Sequence, residues 1–390
     1  MLANPFLIYI LTFGSALAIY QLGWSTAYPP TTWGMALFFA FSFLVAGCVG
    51  WLAHPRVRSI RTYRPGLLPR WAIAVPLACF AADLAYAGSI PLIDMIRGQF
   101  HYTSFKGMPS LHVFAVTFGS VFSTIRFADF LYETDRVRWR YLGEAAIPII
   151  FLLLIVYRGP ALIVLTSWVF VFFIHLSRIR ISHIVSLIAV GAVLLLGAAK
   201  FGEARSGNVN GMGHASAAFH GSSLGPAAFW LFLYSTGPLA NFQYAVSTFN
   251  PPYDLKKIPE YVVSELLPDT ISHRILPRLG ASPNRDIPEF SANFNVSSVF
   301  SRSWIFFGWF SVLTTLAVFI FILYTYIAAI RTSPLAVPSL ALLNTFVVYN
   351  LFDNMIATTS IGIQLLWPLL LGLLLKRRAA VEVAPLQVGA

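Results

Sequence analysis

Long apolar runs alternate with short polar breaks along almost the whole chain, with no strand-like alternation between them. Roughly 18 or more consecutive apolar residues suffice to cross a bilayer as a helix. Spanning helices are predicted at 5–22, 33–52, 71–87 and 111–125, within the stretch 145–176, and at 183–199, 303–330, 336–352 and 361–375. The stretch 145–176 is too long for one crossing and divides where Tyr157-Arg158-Gly159-Pro160 interrupts it, giving about ten spans. The expected fold is therefore an all-α polytopic membrane protein. It has a membrane bundle at 1–199, one large loop at 200–302, a second bundle at 303–378 and a tail at 379–390. An outer-membrane barrel would instead show segments of about ten residues with alternating polarity.

Composition sharpens this picture. The chain of 390 residues is 57% hydrophobic and 11% charged, with a mean hydropathy of +0.73. Soluble domains carry about 25% charged residues. The net charge of +11 is spread over short loops rather than gathered on one domain, which argues against a nucleic-acid partner. Cys48 and Cys79 fall inside apolar spans and indicate neither a disulfide framework nor a metal site. No Lys or Arg precedes the first apolar run, so it reads as a retained span rather than a cleaved signal.

The basic residues also give a direction. Arg56, Arg58, Arg61, Arg64 and Arg70 follow the second span, and Arg126, Arg136, Arg138 and Arg140 the fourth. Arg178, Arg180 and Arg331 mark later breaks on the same side, and Lys376, Arg377 and Arg378 close the last span. Positive residues collect in cytoplasmic loops. Both termini are thus expected in the cytoplasm. The connector 88–112, the break at Arg158 and the loop 200–302 are expected on the opposite face.

That connector carries the first candidate chemistry. Asp94, Arg97, His101, Tyr102, Lys106 and His112 stand there among the breakers Pro91, Gly98, Gly107 and Pro109. Ionisable groups at membrane depth are costly and mark functional sites by default. His112 or His101 is a candidate general base, because imidazole exchanges protons near neutral pH, and Asp94 is the alternative. Asp94 can equally pair with Arg97 or Lys106. Arg158 can clamp a phosphate through its guanidinium fork or snorkel to headgroups. Arg97, Lys106 and Arg302 offer further positive charge. Asp83, within the third span, reads as a hydrogen-bond partner between helices, and Asp353-Asn354 as bundle contact or site wall.

The large loop is mixed. Residues 202–223 read as mobile loop, and 226–246, broken at Gly237-Pro238, as a re-entrant or interfacial helix pair. His214, His220, His273, Arg274, Arg278 and Arg285 lie in this loop. Phe100, Tyr102 and Tyr244 are candidates for ring stacking on a ligand. Phosphate-loop, HExxH and DxD motifs are absent. Metal-independent chemistry without a cofactor, on a lipid-linked anionic substrate, is the expectation that remains.

Gly88-Ser89-Ile90-Pro91-Leu92, then Tyr102, then Gly107-Met108-Pro109-Ser110-Leu111-His112 resembles the opening pattern of Wzy-type O-antigen and oligosaccharide repeat-unit polymerases. Arg158 before an apolar run, residues 234–241 (YSTGPLAN), and Asn295-Val296-Ser297-Ser298 leading into Phe306-Phe307-Gly308-Trp309 are similar to the same family. The resemblance implies a fold like that of GT-C glycosyltransferases. It also implies transfer of a growing glycan from undecaprenyl diphosphate onto a new lipid-linked repeat unit at the periplasmic face of a bacterial inner membrane. Arg158, with Arg97 or Arg302, would neutralise the leaving diphosphate, and a histidine would activate the acceptor. Tyr102, Lys106, Asn241, Arg274 and Arg278 are the remaining substrate-binding candidates. A flippase and a chain-length regulator would be companion proteins. The alternatives are an O-antigen ligase, another lipid-linked glycosyltransferase, and a lipid-linked oligosaccharide transporter.

Overall fold

A computed structural model describes residues 3–60, 62–98, 105–176, 212–282, 287–291 and 296–383. The described residues build helices and no strand, apart from an isolated bridge between Ser25 and Ala215. Among the described residues, six helical segments are long and apolar enough to cross a membrane: Trp33–Ser59, Arg70–Ala87, Leu111–Tyr132, Arg158–His175, Trp309–Ile330 and Thr359–Arg377. The chain is a multi-pass helical membrane protein. Helices α1 (Pro5–Tyr20) and α14 (Ala336–Tyr349) are apolar but shorter, at 16 and 14 residues. At 1.5 Å per residue they reach about 24 and 21 Å, short of a hydrocarbon core of about 30 Å. The span expected at 183–199 lies outside the described residues.

The bundle is organised around α5 (Leu111–Tyr132), 72% of whose most apolar window is buried. Against it pack α3 (Ala74–Ala87), α6 (Arg138–Leu154), α7 (Arg158–His175) and α14. The break at Tyr157 is real: α6 ends at Leu154 and α7 begins at Arg158. Helix α5 does not end at residue 125, because Arg126 is not a loop charge. It is buried within the helix, 3.0 Å from Asp129 and 2.8 Å from Glu144, and donates to the Pro69 carbonyl at 3.0 Å. With its charge matched inside the protein, the helix continues for about two more turns.

Two further expectations change. Residues 226–246 form no broken pair but part of one helix, α9 (Pro226–Thr248, following the short α8, Ala217–His220). Pro238 removes one backbone donor, yet the turns around it are buried against α1 and its loop. There the Tyr28 hydroxyl donates to the Leu233 carbonyl at 3.3 Å and accepts from Thr236 at 3.2 Å. The expected span 303–330 begins instead at Trp309, as α13 (Trp309–Ile330), and α12 (Val299–Phe307) before it folds back on it as a helix hairpin. Gly308 makes the reversal at φ 56 and ψ −131, a conformation a side chain rarely adopts. The two arms are stitched by hydroxyls, with Ser303 Oγ 2.6 Å from Thr315 Oγ1 and Ser311 Oγ donating to the Ser303 carbonyl at 2.6 Å. The α12 end of the hairpin enters the core, where Phe300 packs 5.7 Å from Phe13 and 4.8 Å from Phe38.

Candidate active site

Helix α3 ends where Gly88 turns left-handed at φ 72, and α4 (Pro91–Ile96) follows at once. The chain comes back at residue 105 and enters α5 through Met108-Pro109-Ser110. This return brings the start of α5 onto the side of α3. Asp83, fully buried there, accepts from the Met108 backbone N–H at 2.7 Å and faces His112 Nδ1 at 2.5 Å through its other oxygen. A carboxylate in an apolar helix face is costly unless donors take its charge; the turn of α5 supplies both. Beneath the pair lies a small apolar core of Phe80, Val116, Leu152 and Val164. The His112 side chain is 23% exposed, so the edge not turned to Asp83 has access to the surroundings.

Gly107 makes this approach possible. A Cβ at that position would sit 2.7 Å from Asp83 Oδ1 and 2.8 Å from the His112 ring. Phe105 and Tyr157 flank the imidazole, with ring centroids 5.6 and 5.8 Å away. Tyr157 is the residue before α7, so the N-termini of α5 and α7 meet at His112. Neither helix has a side-chain cap or an acidic residue in its first turn. Helix N-termini carry partial positive charge and normally attract carboxylates. Here α7 opens on Arg158 instead, a cation placed against the dipole. Two uncapped N-termini, one of them opening on Arg158, form a locus suited to an anion.

Backbone strain falls at the same place. Among the described residues, Ser110 at φ 66 and Val156 at φ 58 are the non-glycine residues with positive φ. One lies two residues before His112, the other two before Arg158. For a β-branched residue this conformation is a genuine outlier, and such strain gathers at functional sites.

The other candidates distribute as follows. Asp94 and Arg97 lie on and just after α4, and Lys106 is exposed beside Gly107. Among the described residues no ion pair joins Asp94 to Arg97 or Lys106. The carboxylate on His112 is Asp83. His101 and Tyr102 lie outside the described residues. Asn241 is fully buried, donating to the Val296 carbonyl at 2.9 Å and accepting from the Phe290 N–H at 3.0 Å. Its amide ties the segment before α12 to α9 and is not presented to a substrate. Arg274 and Arg278 are exposed, far along the chain from His112.

Arg302, on α12, forms a separate cluster, with Glu265 on α10 (Ile258–Leu266) at 3.5 Å and Asp353 at 3.7 Å. The Asn354 amide donates to the Glu265 side chain at 2.9 Å and to its carbonyl at 2.8 Å. Burial pushes the Glu265 carboxyl above its ordinary range, against the pull of Arg302. Burial does the same to Asp269, which opens α11 (Asp269–Ile275) and also feels Arg302. With acidic groups around it, Arg302 has its charge answered within the protein.

Neither a family model, nor a curated protein, nor a solved structure matches this chain. The chemistry of the site has to be read from its own residues.

Proposed function

We propose that the chain is a membrane-embedded glycosyltransferase that polymerises lipid-linked oligosaccharide repeat units. The observation that carries this reading is the Asp83–His112 pair at the uncapped start of α5, beside Tyr157 and the uncapped start of α7, which opens on Arg158. Glycan transfer from a polyprenyl diphosphate needs a base for the acceptor hydroxyl and positive charge for the departing diphosphate. In the proposed reaction Asp83 holds His112 with the proton on Nδ1, leaving Nε2 free to take a proton. As the acceptor oxygen bonds to the anomeric carbon, the bond from that carbon to the diphosphate oxygen breaks. The hydroxyl proton passes to His112. The charge growing on the leaving diphosphate is met by Arg158, Lys106 and the N–H groups of α5 and α7, where it is stabilised more than in the ground state.

The polymerase reading, as distinct from ligation or transport, is supported by the short motifs around His112 and Arg158. Its test is surface glycan length in a strain lacking the gene, complemented with wild type or Arg158→Ala. Long chains with wild type and single repeat units on the core with Arg158→Ala are expected. Loss of every surface repeat with lipid-linked units left outside the inner membrane would replace polymerase by ligase. Accumulation on the cytoplasmic face would mean a transporter.

A further inference from the structure

The segment from Tyr253 to Leu279 lies outside the site above and presents an unusual surface. Tyr261, on α10, is buried, and its hydroxyl donates to the Ser311 carbonyl at 3.0 Å and meets Thr315 Oγ1 at 2.8 Å. Ser311 and Thr315 belong to the first two turns of α13. The Tyr261 hydroxyl thus ties α10, which packs on α12, to the opening turns of a membrane-crossing helix. The outer face of that helix is apolar at this level, with Phe310 64% exposed.

The exposed flank of α10 beside Tyr261 is apolar as well. Ile258 and Val262, one helical turn apart, are 42% and 40% exposed, and Ile271 on α11 is 45% exposed. Tyr253, 75% exposed, has its hydroxyl beside Gly308 at the tip of the α12–α13 hairpin. Tyrosine is enriched where hydrocarbon meets headgroups. Around these residues stand Lys256, Lys257, Arg274 and Arg278. The acidic residues of the segment are differently disposed. Glu265 and Asp269 face Arg302, which leaves Asp254 and Glu260 against the four cations.

We infer that this segment is an interfacial paddle that lies in the plane of the membrane and engages anionic phospholipid headgroups. Its apolar face enters the boundary of the acyl chains, continuous with the lipid-facing side of α13. Its cations reach the phosphates above. Interfacial helices of this kind sink about 5–10 Å and bind through apolar area together with attraction to anionic lipid. The tie of α10 and α11 to Arg302 and Asn354 then fixes the hairpin at a set depth. Arg274 and Arg278 are lipid contacts on this account, not substrate contacts. The inference stands independently of the transferase reading.

The test uses the full chain with Cys48→Ser and Cys79→Ser, carrying single nitroxide labels at Val262→Cys, Phe310→Cys or Thr134→Cys. The protein is reconstituted in vesicles of phosphatidylcholine with and without phosphatidylglycerol. Collision with oxygen, enriched in lipid, is compared with collision with a water-soluble nickel chelate. The expected result is a Val262 label that resembles Phe310 and differs from the exposed loop position Thr134. Adding Lys256→Gln, Arg274→Gln and Arg278→Gln should raise nickel access at Val262 several-fold in the anionic vesicles and leave it unchanged in the neutral ones. A Val262 label as open to nickel as Thr134 in both vesicles would overturn the paddle. An equal response of the triple variant in both vesicles would overturn the headgroup contact.

Discussion

Asp83 and His112 need each other for different reasons. The carboxylate is buried and requires donors; the imidazole requires a fixed tautomer if Nε2 is to accept a proton. Replacing Asp83 by Asn keeps the shape but removes the charge that stabilises the imidazolium. The expected loss in turnover is about 10²- to 10⁴-fold, the usual range for removing general-base assistance. The thermal midpoint should stay near wild type, as read by unfolding in detergent. Asp83→Ala should also cost about 1–3 kcal/mol of stability, since the Met108 N–H and His112 lose their acceptor. Gly107→Ala tests the same geometry from outside. Its new methyl would meet Asp83 at 2.7 Å, so the two rings of contact cannot both persist. Turnover should fall with little change in substrate-independent expression. The left-handed φ of Val156 is a counterpart on the α7 side.

At the scale of elements, the helix ends do the organising. Uncapped starts at α5 and α7 make the anion locus, while the α12–α13 hairpin and α10 hold Arg302 among carboxylates. The sign of the Glu265 effect follows from its burial. Its folded-state pKa lies above the ordinary carboxylate value of 4.5, so the folded protein binds the proton more tightly than the unfolded chain. The stability it contributes is present below that value and is lost as pH rises through the raised one. Glu265→Gln should flatten this part of the pH profile and raise the thermal midpoint on the alkaline side, leaving the contribution of Asp269 in place. A steeper alkaline loss in the variant would contradict the assignment. The sequence made part of this legible: the break at Tyr157 was readable as a polar interruption of an apolar run. Asp83 was readable as a hydrogen-bond partner between helices but not as the partner of His112, because the two stand 29 residues apart on different helices. The hairpin at Gly308 was hidden, since a reversal made by one glycine leaves the apolar run unbroken. The continuity of α9 was hidden for the opposite reason, because packing outweighed Pro238.

For the whole molecule, six helices among the described residues that are long and apolar enough to cross a bilayer make a multi-pass membrane protein. The distribution of Lys and Arg sets an expected orientation, with His112 on the outer face. A phosphatase reporter active only outside the cytoplasm should be active when fused after Arg97 and inactive when fused after Arg136, the ends of a single crossing by α5. Equal activity at both would remove α5 as a crossing. The central claim concerns the chemistry at one end of that helix. Its most direct measurement is glycan transfer by the purified protein in proteoliposomes, supplied with polyprenyl-diphosphate-linked repeat units, comparing wild type with His112→Ala. The account predicts a ladder of lengthened lipid-linked products with wild type and a rate lower by about 10²-fold or more with the variant. A ladder formed equally fast by His112→Ala, in protein that remains folded, would contradict it.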